Sequence, residues 1–196
     1  MTPVNSADTV PVNASNRHAH LSQKEADILF GVGHKFGNIK DLSQPGQFAA
    51  SETIIISGPK GTISKVRILG PVRKETQIEI LASDQYTLGL MAPVRQSGAL
   101  EGSCPVTIIG PKGSVYLEKG VIIAQRHIHL DPPSAQAMNV KDSEYVSVEV
   151  TGDRPVTFKN VLVRVNEAYA KDMHIDIDEA NACLIKNGTL CKVVKE

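Results

Sequence analysis

The pentapeptide Arg-His-Ala-His-Leu at 17–21 recurs as Arg-His-Ile-His-Leu at 126–130. Self-similarity of this kind constrains a fold more than any single motif, because each copy must be served by the same local solution. The likeness continues at the same offset, with Leu21, Ser22 and Ala26 facing Leu130, Asp131 and Ala135. Each copy therefore reads as the end of a strand running into a helix start. In the first, Ser22 is placed as N-cap with Glu25 three residues on, a capping box, and Leu21 and Ala26 take the hydrophobic-staple positions. Gly31 ends that helix, predicted near 22–30. In the second, near 132–138, Asp131 caps, Pro132 sits at the first helical position, and Leu130 and Ala135 repeat the staple.

Around these helices the chain is rich in short β-branched runs: 53–57, 63–69, 76–81, 106–109, 115–123, 145–150 and 161–165. Gly-Pro-Lys-Gly stands at 58–61 and again at 110–113, and a further turn at 151–155. Many short strands punctuated by Gly and Pro suggest barrels or sandwiches rather than an alternating βαβ sheet. The chain is divided near residue 112 into two small β-rich units, 1–111 and 112–196, each opened by its own helix.

Side chains two apart on a strand share a face, so His18 and His20 can converge on one ion, and His127 and His129 on another. One such pair is weak support for a metal, since lone matches are usually ordinary histidines. Two pairs in equivalent positions of a repeat, holding four of the six histidines, favour metal. A zinc site that does chemistry has three protein ligands and an open position, so each pair wants a third. Matching 76–80 to 173–177 places Gln77 opposite His174 and Glu79 opposite Asp176, which offers Glu79 and His174 as third ligands. On its own Glu79 reads more readily as an outward-facing strand residue than as a ligand. His34, in a glycine-rich stretch outside both copies, reads as a solvated loop histidine.

An anionic substrate needs local donors here, because 21 Lys+Arg balance 21 Asp+Glu and no bulk field favours nucleic acid or an anionic membrane. Arg73 in Gly-Pro-Val-Arg, six residues before Glu79, has a planar fork suited to phosphate, though from spacing alone it is as readily a surface arginine. No phosphate loop, HExxH helix or GxSxG elbow is present, and the three cysteines lack metal or redox spacing. They read as reduced, mostly buried thiols. No apolar run suggests a membrane span, and the N-terminus has no leader pattern, which gives a cytosolic location by default.

The residues assembled above carry a resemblance to the PduL-type phosphate acyltransferases. It runs from Val12 to about Asn181 through the blocks at 12–21, 42–50, 69–80, 92–98 and 125–130. The resemblance implies a mainly β fold, a tandem pair of small β-barrels with short capping α-helices, and two zinc ions between them. It implies exchange of short-chain acyl-CoA plus phosphate for acyl phosphate plus CoA, in a homodimer. By the same resemblance one zinc is held by His18, His20 and Glu79, the other by His127, His129 and His174 with water, and Arg73 grips the phosphate. Ser97 and Asn181 border the CoA. Microcompartment members carry an amphipathic N-terminal extension, whereas only eleven residues precede Val12 here and they lack helical amphipathy. Tyr86 replaces the phenylalanine common in relatives, which keeps an aromatic face.

No covalent acyl-enzyme is required by this reading. A zinc-dependent acyl-CoA hydrolase would share the ligands and use water as acceptor. A non-catalytic metal-binding scaffold would close both metal shells.

Overall fold

The structure is a computed structural model that describes residues 8–195. The leading residues 1–7, read above as lacking an amphipathic docking helix, lie outside the described residues. The chain runs through β1 (Thr9–Ser15), β2 (His18–His20), α1 (Gln23–Phe30), β3 (Asn38–Asp41), β4 (Phe48–Ser57) and β5 (Thr62–Gly70). It continues through β6 (Gln77–Glu79), α2 (Asp84–Leu88), β7 (Val94–Arg95), β8 (Cys104–Ile109) and β9 (Ser114–Ala124). Then follow β10 (His127–Leu130), α3 (Pro132–Ala137), β11 (Tyr145–Val150), β12 (Val156–Val165), β13 (Asp172–Asp176), α4 (Ile177–Cys183) and β14 (Thr189–Val194).

Two closed barrels result, as the resemblance implied. In one compact unit, residues 16–42 and 46–124, β4, β5, β2, β6, β9 and β8 pair in a ring that returns to β4. In the other, residues 1–15, 43–45 and 125–196, the ring is β1, β13, β10, β12, β11 and β14. The pairing pattern is the same in both. β2 runs parallel to β5 and antiparallel to β6, and β6 runs parallel to β9. Likewise β10 runs parallel to β12 and antiparallel to β13, and β13 runs parallel to β1. The strands just ahead of the two motifs, β1 and β9, are thus equivalents, and each completes the barrel built from the other half of the sequence. The division expected at 111/112 falls inside the β8–β9 hairpin instead, and the units part at 15/16 and 124/125. The run at 115–123 reads as a strand, but the barrel that either exchanged strand joins is not legible from local pattern, because pairing across halves is a tertiary choice.

Each barrel is filled by the inward side of its strands. Ile54, Ile56, Val66, Ile68, Ile78 and Val121 are fully buried in the first, and Val10, Val12, Ile128, Val148, Val161 and Met173 in the second. Each such side chain stabilises the fold by about 1.5–3 kcal/mol relative to exposure. The two Gly-Pro-Lys-Gly turns close the β4–β5 and β8–β9 hairpins and do the same second task. The Lys60 N–H donates to Leu88 O at the end of α2, and the Lys112 N–H to Leu29 O at the end of α1, both at 3.0 Å. A Cβ on Gly58 or Gly110 would lie 2.3 Å or 2.6 Å from those same carbonyl oxygens, so only glycine lets the turn seat on the helix end.

Helix starts follow the motif with one exception. Asp131 caps α3 by accepting from the Ser134 N–H at 2.9 Å. Ser22 makes no such cap, since its hydroxyl donates to the Glu25 carboxylate, which also accepts from Thr76 Oγ1 at 2.9 Å. The full capping box is at α4, between Asp176 and Glu179. Cys104, Cys183 and Cys191 are free thiols, the last two within the core of the second barrel. No helix among the described residues is long and apolar enough to cross a membrane.

Candidate metal centre and active site

β2 and β6 set the first cluster. Their antiparallel register places His18 opposite Glu79 and His20 opposite Gln77. The ligand atoms of His18, His20 and Glu79 all lie within 4.8 Å of one another. His18 Nε2 is 3.3 Å from Glu79 Oε2, and His20 Nε2 is 4.0 Å from Glu79 Oε1. His18 Nδ1 is 2.8 Å from the Asn16 carbonyl, which can only accept, so that partner fixes the proton on Nδ1 and turns Nε2 to the cluster. Burial alone would lower the pKa of His18, but the Glu79 carboxylate and the Asn16 carbonyl outweigh it and hold it above the ordinary value. His20 goes the other way. Burial first, then the charges of His18 and Arg73, push it to about 3, so its imidazole is neutral at pH 7 and fit to be a ligand.

β10 and β13 set the second cluster in the same manner, with His127 opposite His174 and His129 opposite Asp172. The ring centroids of His127, His129 and His174 are 4.7–5.2 Å apart. His127 Nδ1 is 2.8 Å from the Gln125 carbonyl, repeating the Asn16 contact two residues upstream of its own histidine. Burial, followed by His127 and His174, lowers His129 to about 3. Both nitrogens of His129 are buried without a hydrogen-bond partner among the described residues, and its ring stacks on Tyr169 at 4.2 Å. A buried imidazole with two idle nitrogens is costly unless a cation or water completes it.

The third-ligand alignment needs correction in its pairing, though not in the residues it brings in. The registers make Glu79 equivalent to His174, and Gln77 equivalent to Asp172. The sequence match was slipped by two residues, a shift that keeps every side chain on its face and so leaves the alternation unchanged. Asp176 is not opposite Glu79 and serves as the α4 cap.

Arg73 is held at the end of the first motif, its backbone N–H donating to Leu21 O at 2.8 Å. Its guanidinium donates to Ser97 Oγ at 3.2 Å and contributes to the lowered pKa of His20. Three predicted residues, Arg73, Ser97 and Glu79, therefore stand with His18 and His20 in one unit. Asn181 lies on the exposed side of α4 in the other unit, and Tyr86 is 84% exposed. His34 is exposed in its loop, as read, but its Nε2 is 2.8 Å from Glu52 and its ring stacks on Phe30.

The family model described as phosphate propanoyltransferase matches residues 11–186. The chain belongs to this family. A phosphate propanoyltransferase of Clostridioides difficile is 48% identical over 196 residues, covering 100% of this chain and 94% of that one. One of Thermotoga maritima is 52% identical over 185 residues, covering 94% and 88%, and one of Rhodobacter capsulatus 52% over 186 residues, covering 95% and 86%. As a member of the phosphate propanoyltransferase family the chain is an acyltransferase.

By donor chemistry the first cluster fits zinc, with two nitrogens and a carboxylate, and it is the one group among the described residues whose ligand atoms gather within 4.8 Å. The second brings three imidazoles together by register and ring contact, without their ligand atoms closing to that distance. Sequence reasoning missed Gln77, Asp172 and Tyr169. The first two carried a signal, since each is two residues before a recognised ligand on the same strand face.

Proposed function

We propose that the chain interconverts short-chain acyl-CoA plus phosphate and acyl phosphate plus CoA, with a zinc ion on His18, His20 and Glu79 and a second on His127, His129 and His174. The observation that carries the reading is the placement of Arg73, an anion-binding fork, beside a three-ligand cluster, the ligand number with which a catalytic zinc keeps a position for substrate. Zinc bound there would polarise the thioester carbonyl and favour the thiolate leaving group. The chain's own residues do the rest. Arg73 grips phosphate by paired charge-assisted hydrogen bonds and neutralises part of its charge, so that one phosphate oxygen can approach the carbonyl carbon. The new C–O bond forms, the C–S bond breaks, and the electron pair leaves on the CoA sulfur. Ser97 accepts from Arg73 and fixes the direction of the fork. Asn16 and Gln125 hold His18 and His127 in the tautomer that presents Nε2.

The lowered pKa values of His20 and His129 support the same reading, because neutral imidazoles bind metal without first releasing a proton. The acyl group is acetyl or propanoyl, the functional form a homodimer and the location the cytoplasm. CoA release from acetyl-CoA and propanoyl-CoA, followed with and without phosphate, tests the proposal. Release that requires phosphate supports it. Release at the same rate in phosphate-free buffer indicates a hydrolase, and no release from zinc-loaded protein indicates a scaffold.

A further inference from the structure

Gln77 joins the anion-binding arginine to the metal-binding carboxylate. It is 2% exposed on β6, two residues before Glu79. Its Nε2 donates to Glu79 Oε1 at 2.6 Å and to Ser97 Oγ at 2.8 Å, while its Oε1 accepts from the Gly98 N–H at 2.7 Å. Ser97 Oγ accepts in turn from the Arg73 guanidinium at 3.2 Å. Arg73, Ser97, Gln77 and Glu79 thus form one continuous hydrogen-bonded chain. The partners fix the amide's orientation, since a flipped Gln77 would set its carbonyl against a carboxylate and its NH2 against an N–H. With both lone pairs of Ser97 Oγ engaged, its hydrogen is left to donate elsewhere.

The second barrel shows why an amide is used here. At the equivalent register position stands Asp172, whose Oδ2 is 3.2 Å from His174 Nε2 and whose Oδ1 accepts from Asn13 at 2.8 Å. Each cluster therefore has one carboxylate. Where the third ligand is a histidine, the neighbour is an acid. Where the third ligand is Glu79, the neighbour is neutral. A second carboxylate at position 77 would repel Glu79 and weaken any anion held by Arg73.

Resting on the function proposed above, we infer that Gln77 is a positioning residue that couples the two halves of the first site. It holds the Glu79 carboxylate in one orientation toward His18 and seats the Ser97–Gly98 turn under Arg73. Loss of the amide therefore disturbs metal and phosphate together.

Gln77→Leu and the near-isosteric Gln77→Glu, made in the full chain and checked for folding by urea titration, test this. Zinc retention is measured by chelator competition, and phosphate and acyl-CoA dependence by CoA release. Gln77→Leu is expected to weaken one zinc equivalent about 10–100-fold, as loss of a ligand's hydrogen-bond partner does elsewhere. The other equivalent stays at parent affinity. The phosphate KM rises several-fold in the same variant and the acyl-CoA KM does not. Gln77→Glu raises the phosphate KM at least as far, with zinc retained. The inference is overturned if both folded variants keep parent-like phosphate KM, or if zinc affinity falls in Gln77→Leu with phosphate KM unmoved. A parent protein that binds no zinc or needs no phosphate overturns the proposed function itself, which the parent arm shows separately.

Discussion

The Arg17 Nε–H donates to the buried carboxylate of Asp84 at 2.8 Å, tying the first residue of the first histidine motif to the opening turn of α2. The same Asp84 oxygen also accepts from the Leu81 N–H at 3.0 Å. The second barrel repeats the device, with Arg126 2.8 Å from Glu179 in the opening turn of α4. The arginine that leads each motif is thus a latch between the histidine strand and the helix that follows the third-ligand strand. Arg17→Met should destabilise the fold by about 1–3 kcal/mol, because it leaves a buried carboxylate short of a partner. Each carboxylate keeps one backbone N–H at 3.0 Å, but Arg126→Met should cost less, since the Glu179 side chain is 23% exposed against 6% for Asp84. Urea titration of both variants checks the order, and an unaffected Arg17→Met midpoint would remove the latch.

Zinc stoichiometry should be about two per chain, and His127→Ala or His174→Ala should lower it to about one with severe loss of turnover. Each removes one of three nitrogens from the same cluster. Elemental analysis of protein purified without chelator checks this. Two equivalents retained in both variants would place the second ion elsewhere.

How much of this site was legible follows from what kind of pattern each part leaves. The four histidines of the repeat and Arg73 stand in contiguous motifs; His18, His20 and Arg73 meet in one unit, and His127 and His129 meet in the other. The third ligands depended on a loose match between 76–80 and 173–177, where a two-residue slip preserves alternation, and only the strand registers correct it. Pro11 and Asn13 interrupt the apolar pattern of β1, and its partners β13 and β14 lie more than 150 residues away, so it was not read as a strand. Ser22 looked like a capping box because its spacing is right, yet Thr76 draws Glu25 into a buried cluster.

Metal-free protein should lose stability on acidification from pH 7 to pH 5. His20 and His129 stand at about 3 in the folded chain against 6.5 when unfolded, so within that window the unfolded chain binds more protons and stability falls as pH falls. His18, raised by Glu79, opposes this, since its contribution is full below 6.5 and is lost as pH rises through its folded value. Asp176 and Glu179, raised by burial, oppose it as well, and the depth of the two histidine shifts, to about 3, sets the sign. A urea midpoint that is higher at pH 5 than at pH 7 would contradict it.

Cys191→Ser should leave turnover within a few-fold of the parent. Burial first, and the neighbouring Cys183, push its thiol up to about 11, so it is not a thiolate at neutral pH. Collapse of activity in a folded, zinc-replete variant would give the thiol a chemical role.

The phosphate dependence of CoA release in Arg73→Lys tests the central claim most directly. Lysine keeps the charge and loses the planar fork, so the phosphate KM should rise and kcat fall while the acyl-CoA KM and zinc content hold. Arg73→Ala should lose more, on the order of 2–4 kcal/mol of transition-state stabilisation. Parent-like phosphate dependence in both variants, or losses that simply follow loss of zinc, would contradict the account.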